Sequence, residues 1–186
     1  DTGFSHPYGS NPYAGYDRAD QPPFLFDGDL DGRLLLKERV AAITIGEVDA
    51  AFPFSILKEE RVVNYTVNGK DLVVFFKFGT ASALDQRSIS GSRDIGATGV
   101  FEGQLNGRTL TFRADGDDIV DNETGSVWNI LGHAVEGELA GQRLEPIVHA
   151  NHFWFSWGGV QARYADIRGH GVGVTEIPSP LGEKVR

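Results

Sequence analysis

An Asn-Gly pair stands twice between runs of β-forming residues. Val62-Val63-Asn64-Tyr65-Thr66-Val67 and Asp71-Leu72-Val73-Val74-Phe75-Phe76 flank Asn68-Gly69. Val100-Phe101-Glu102-Gly103-Gln104-Leu105 and Thr109-Leu110-Thr111-Phe112 flank Asn106-Gly107. A two-residue loop that matches the twist of its strands needs positive φ at both positions, which Asn and Gly tolerate best. A third hairpin is predicted between Asp118-Ile119-Val120 and Ser126–Ile130 around Asn122-Glu123-Thr124-Gly125, and a fourth between Ala134–Leu139 and Arg143–Val148 through Ala140-Gly141-Gln142. Val40–Ile45 reads as a further strand, and Ala50–Leu57, with Pro53 inside it, as an edge strand. Helical periodicity enters only at His152–Trp157, where Phe153, Trp157 and Val160 would share a face. The predicted fold is mainly β: an antiparallel, hairpin-rich sandwich or barrel-like sheet with a short C-terminal helix and an extended N-terminal tail.

The chain divides into a tail over residues 1–26, a single β-rich domain over 27–168 and an extended C-terminal tail over 169–186. The first tail is rich in Gly, Pro and Asn, yet carries Phe4, Tyr8, Tyr13, Tyr16, Phe24 and Phe26. A solvated linker is poor in aromatic residues, so this tail is expected to be held. It would lie either over its own domain, burying Phe24 and Phe26, or as a strap on a neighbouring subunit, which is the preferred holder and implies self-association. Net charge is −9 with only 17 Lys and Arg and no basic cluster, which disfavours nucleic acid and anionic membranes as partners. No stretch approaches the length of apolar sequence that spans a bilayer. The chain has no cysteine, so disulfides, thiolate metal sites and cysteine nucleophiles are absent. Without methionine, and opening on Asp1, it reads as an exported product whose leader has been removed. Glycosylation at the triplets beginning Asn64 and Asn122 is compatible with that location.

The stretch DGDLDGRLLLKE, Asp27 to Glu38, matches the pattern of a twelve-residue calcium loop at every required position. Asp27, Asp29 and Asp31 would supply alternate carboxylates, Arg33 its carbonyl and Glu38 a bidentate carboxylate, with Gly32 allowing the sharp turn. Leu35 offers no side-chain oxygen at the ninth position, so water would serve there. Gln21-Pro22-Pro23 precludes the entering helix of an EF-hand. The competing reading is an acidic turn whose carboxylates cap backbone amides.

Other constellations are incomplete. His149 and His152, with His133 and Glu60, could collect a transition metal, but spacing fixes no third ligand, and imidazoles hydrogen-bonded at a core edge are the preferred reading. Ser82 and Ser126 sit in turns without a nucleophile elbow, and Gly96-Ala97-Thr98-Gly99 lacks the lysine of a phosphate loop. Glu59-Glu60 and Asp117-Asp118 are adjacent acids, poor couples as neighbours on a strand. Trp128, Trp154 and Trp157 are expected in the core. Lys77 reads as either an edge lysine or a buried cation that needs a carboxylate.

The pieces DGDLDGRLLLKERV, FPFSIL, ERVVNYTVNGKDLVVFF, GTASALD, LNGRTLTF, DNETGSVWNILGHAVEGELAGQRLEPI and HFWFSW together resemble the bacterial and archaeal family known as domain of unknown function 3179, over residues from about 22 to about 160. The resemblance implies a fold grouping and an extracytoplasmic tendency, and no activity. It also implies a Cys-x-x-Cys pair after the second strand of the first hairpin and a His-Glu pair before that hairpin. Lys77 and Thr80, and Glu60 and Arg61, stand at those places here. The expectation is therefore a non-enzymatic, exported structural or interaction subunit, stabilised by calcium and belonging to an extracellular assembly or filament. The alternative is a hydrolase-like enzyme or carbohydrate-binding domain with a cleft near Trp128 and His149.

Overall fold

The structure, a computed structural model, describes residue 3 and residues 10–24, 26–28 and 31–158. The first hairpin joins β1 (Arg39–Ile45) to β2 (Val48–Pro53), after which the chain turns into α1 (Phe54–Glu60). The predicted edge strand thus stops at Pro53 instead of reaching Leu57. Phe54 and Leu57 are both buried in the same core, and residues three apart share a face only on a helix. Pro53, with φ −64° and ψ 137°, gives up no needed donor as the cap residue that opens that helix.

The hairpin of β3 (Val62–Val67) and β4 (Lys70–Lys77) forms as predicted, with φ of 50° at Asn68 and 75° at Gly69. β5 (Ala97–Glu102) pairs with the other edge of β4, which makes β4 the centre of a three-stranded sheet. The second Asn-Gly turn joins only β6 (Gln104–Leu105) and β7 (Arg108–Thr109), because Val100–Glu102 belong to β5. β8 (Phe112–Asp115), β9 (Asp118–Asp121), β10 (Val127–Trp128) and β11 (Ala134–Glu136) form a four-stranded sheet in the order β11-β10-β9-β8. The predicted pairing around Asn122–Gly125 is the β9–β10 hairpin. The predicted fourth hairpin keeps its turn, where Ala134 N–H donates to Gln142 O and Gly141 N–H to Ala134 O beside the His133 to Arg143 bridge, and goes no further because residues 144–147 bond elsewhere: Leu144 N–H to Gly132 O, Ile147 N–H to Val100 O, and Glu102 N–H to Glu145 O.

β12 (His149–Phe153) returns to pair with β1, and α2 (Trp154–Gly158) follows. The helix predicted from His152 therefore starts two residues later. Val160 and the tail of residues 169–186 lie outside the described residues. The architecture is mainly antiparallel β with short helices, as the turn chemistry predicted.

Three cores stack through the sheets. Trp154, Trp157 and Leu34 pack on Val40, Ala42 and Ala51 of β1 and β2. The opposite faces of those strands, through Ala41, Ile43, Ala50 and Phe52, meet α1 and Leu72, Val74 and Phe76 of β4. Val73 and Phe75, on the far face of β4, meet Phe112, Ile119, Trp128 and Ala134 of the four-stranded sheet. The apolar run Leu72–Phe76 is thus buried on both faces, which explains why it shows no polar alternation. Asn64 splices the last two layers: its amide Nδ2 donates to Phe112 O at 2.7 Å, and its Oδ1 accepts from Phe112 N at 2.8 Å. A side-chain amide there replaces one peptide unit of a strand.

Candidate functional site

α1 closes on Arg61, whose φ of 63° is left-handed and whose N–H donates to Leu57 O at 2.9 Å. Glycine is the usual residue for such a stop. The turn lays the arginine against the end of β4. Its Nε donates to Phe76 O at 3.3 Å, its guanidinium carbon sits 5.3 Å from the centre of the Phe78 ring, and its carbonyl accepts from Phe76 N at 2.9 Å. Its ion pair to Asp117 spans 3.8 Å to a carboxylate that is 96% exposed, a contact of small value in water.

The loop that leaves β4 is closed by Asp94. Its carboxylate accepts from the N–H groups of Gly79 at 2.6 Å, Thr80 at 3.0 Å and Gly96 at 2.8 Å. The Gly96 bond foremost, with those of Thr80 and Gly79, holds the Asp94 carboxyl below the usual carboxylate range. Arg61 therefore touches Phe76 and Phe78, in the stretch whose positions 77 and 80 the resemblance aligns with the Cys-x-x-Cys pair. What this place carries is a guanidinium, an exposed Lys77, an aromatic ring and an exposed Thr80. Lys77 pairs with Ala97 at the end of a central strand, so it is neither an edge lysine nor a buried cation. A permanently charged guanidinium cannot ligate a cation, and none of these groups cycles as thiols do.

In the acidic loop, Asp31 and Glu38 each hold a partner within the protein. The Asp31 carboxylate accepts from Arg33 N–H at 2.9 Å and from Arg33 Nε at 2.9 and 2.8 Å, while the Asp31 carbonyl accepts from Trp154 Nε1 at 3.0 Å. The Arg33 bonds hold the Asp31 carboxyl below its ordinary range, against the smaller raising effect of burial. Glu38 Oε1 accepts from Ser55 N–H at 2.8 Å, so it caps the first turn of α1 from outside that helix. Asp27 is exposed, and Asp29 lies outside the described residues. Among the described residues, no three His, Asp or Glu side chains converge as a metal-holding group.

The histidines separate. His149 and His152 fall on opposite faces of β12 by the strand period, and His133 is exposed at an isolated bridge to Arg143, just before β11. His149 Nδ1 lies 3.2 Å from Ile147 O, and its Nε2 lies 3.4 Å from Thr98 Oγ1. Trp128, Trp154 and Trp157 are buried, so none offers an open face for sugar stacking. Glu59 and Glu60 end α1 in solvent.

A second cluster was not visible in the sequence. The segment from Ser10 to Phe24 crosses the loop between β4 and β5, with Asn11 N–H donating to Arg87 O at 2.8 Å and Gly15 N–H to Asp85 O at 2.7 Å. Ser10 and Ser88 form an antiparallel bridge. The described part of the tail is thus held by its own domain. Phe26 packs edge-on against Phe155, whereas Phe24 stays 57% exposed. Asp17 enters a recess where Ser82 Oγ donates to its Oδ2, Arg39 reaches Oδ2 at 3.3 Å, and Arg93 lies 3.0 Å from Oδ1. Oδ1 has no hydrogen bond despite that ion pair, because Arg93 Nη2 donates to the Asp17 carbonyl, 2.8 Å away. Only the turn geometry of Ser82 could be read in the sequence, because Asp17, Arg39 and Arg93 meet it solely through tertiary folding.

A family model described as "Protein of unknown function (DUF3179)" matches residues 1–164. No curated protein and no solved structure matches the chain.

Proposed function

The chain belongs to the DUF3179 family, and from that premise we propose that it is a non-catalytic, exported β-domain serving as a structural or interaction subunit that assembles through its N-terminal segment. The observation that carries this reading is the juxtaposition of Arg61 and Phe78, beside Lys77 and Thr80, at the place where the resemblance expects paired thiols and a His-Glu couple. A permanently charged guanidinium packed on an aromatic ring supplies neither the thiolate nor the imidazole that chemistry at this place would draw on. Turnover in a broad hydrolase or thiol-redox screen that disappeared on Glu60→Gln would overturn it.

Calcium at Asp27, Asp29, Asp31, Glu38 and the Arg33 carbonyl belongs to the same reading as a structural stabiliser. The motif supports it. Binding there competes for the carboxylate oxygens that Asp31 offers to Arg33 and Glu38 offers to Ser55. The expected result is a melting temperature that rises with calcium, falls with chelator and loses that response in Asp29→Ala. Identical midpoints for both proteins remove calcium from the proposal.

A further inference from the structure

Asn68-Gly69 and Asn106-Gly107 are chemically alike and structurally unlike. Each is a two-residue turn with positive φ at both positions, 50° and 75° in the first, 53° and 77° in the second. Their flanks also match, with Val67 and Lys70 around one pair and Leu105 and Arg108 around the other. An Asn-Gly pair is open to attack by its own backbone, because glycine has no Cβ to shield the nitrogen that follows the asparagine. In that reaction the glycine nitrogen gives up its proton and bonds to Asn Cγ, the Nδ2 group leaves as ammonia, and a five-membered succinimide closes. Water then opens the ring at either carbonyl, leaving aspartate or isoaspartate. An amide and a water go in, a carboxylate and an ammonium ion come out, and nothing is oxidised or reduced.

The ring closes only from an asparagine backbone geometry outside such a turn, so the rate follows the fraction of time for which the turn is open. The two turns differ in what holds them shut. Asn68-Gly69 ends a hairpin of six paired positions, Val62 to Val67 with Lys70 to Phe75, whose second strand is the centre of a three-stranded sheet. Beside the turn Val67 is buried, and Thr66 Oγ1 donates across the strands to Asp71 Oδ1 at 2.7 Å. Asn68 Nδ2, the group that would leave, donates to Ile45 O at 3.3 Å and packs so closely on Gly46 that a Cβ there would lie 2.8 Å away. Asn106-Gly107 instead ends a ribbon of two paired positions, β6 with β7, that is a sheet of its own, closed at its base by Leu110 N–H to Gly103 O at 2.7 Å. Gln104, Arg108 and Thr109 are exposed, and Asn106 Nδ2 reaches the exposed side chain of Gln142 at 3.4 Å. A two-stranded ribbon of that length is marginal in water.

We propose that Asn106 is a site of spontaneous covalent modification, at which the native protein cyclises and hydrolyses to isoaspartate and aspartate, while the fold protects the same pair at Asn68. This is independent of the assembly reading above. The product carries a new negative charge on a surface turn. In the isoaspartate form the extra main-chain methylene disturbs the register of β6 and β7 alone, since β5 and β8 are paired to other strands. Conversion at Asn68 would instead unsettle the hairpin whose second strand, β4, is shared by two cores. The reactive pair thus stands where the fold tolerates the change.

The test needs no variant. The full-length protein is incubated at physiological temperature and mildly alkaline pH, with and without denaturing urea, then quenched and digested in acid, where the reaction is slow, and its peptides are mapped by mass. The expected result in the native protein is the amide-to-acid mass change at Asn106, with Asn68 slower by about fivefold or more, the change in open fraction that one net hydrogen bond produces. In urea the two rates should converge, because the matched flanks are then all that acts on each pair. Equal native rates, or a faster Asn68, overturn the proposal. An Asn106 that stays intact in the native protein overturns it too, whether or not urea releases the reaction. A rate ratio that persists unchanged in urea assigns the difference to the neighbouring side chains and overturns protection by the fold.

Discussion

Asp121 has no exposed surface, and donors surround its carboxylate: Thr124 N–H at 2.6 Å, Thr124 Oγ1 at 2.8 Å, Ser126 N–H at 3.1 Å and Trp128 Nε1 at 3.0 Å. Burial raises its pKa, and the hydrogen bonds from Trp128, Thr124 and Ser126 together outweigh that effect and leave it below 3.8. Asp121→Ala strands those donors and should cost about 3 kcal/mol in urea unfolding. Asp31 is lowered in the same direction. For both carboxylates, the folded pKa lies below the unfolded one. Their contribution is therefore present above the unfolded value and lost as pH falls through the folded value. The urea midpoint should hold from neutral pH to about pH 5 and drop below about pH 4, less steeply in Asp121→Asn. Asn64 and Asp17 show what single residues conceal in a sequence. Asn64 reads as the start of a glycosylation triplet, yet its amide is spent on both polar groups of Phe112. Asn64→Ala should cost roughly 2 kcal/mol, two buried backbone groups having lost their partner, and a shift in the denaturation midpoint measures it.

Turns were legible where their chemistry is local. Asn68-Gly69 and Asn106-Gly107 both adopt the double positive φ that their sequence advertises. β12 was not legible, because its partner is β1 at the other end of the chain, and His149–Phe153 carries no period of its own. α1 was hidden for a related reason: Pro53 inside an apolar run reads as an interrupted strand until the core on one side of Phe54 and Leu57 is known. The candidate clusters follow the same rule. The acidic pattern lies in twelve consecutive residues and is visible at once, whereas the carboxylate recess draws on three separated segments. Two glycines isolate packing from backbone conformation. Gly96 and Gly107 have φ of 74° and 77°, but a Cβ at Gly96 would lie 2.1 Å from Phe76 Cζ, while one at Gly107 meets nothing within 4 Å. Gly107→Ala should cost about 1 kcal/mol. Gly96→Ala should cost that plus roughly 1–3 kcal/mol from the clash with a buried ring, measured as the difference between their urea midpoints.

Across the whole molecule, β1 lends one face to each of two cores and β4 does the same for the next pair, so no layer can be removed without exposing its neighbour. The amides of Leu72–Phe76 should be the last to exchange with solvent deuterium, and those of Asn11 and Gly15, on the segment that crosses the surface, among the first. The distribution of indoles adds an optical consequence. Trp128 lies in the core at one end of the stack, Trp154 and Trp157 in the core at the other, and the middle core holds Phe and Tyr rings without an indole. Trp128→Phe leaves an emission signal from one end alone, and the double replacement Trp154→Phe/Trp157→Phe leaves it from the other. Because the shared strands tie the ends together, the wavelength shift of each reporter should follow that protein's own far-ultraviolet circular dichroism through one transition. An emission change that runs ahead of the dichroism in either protein would mark that end of the stack as a separately melting unit.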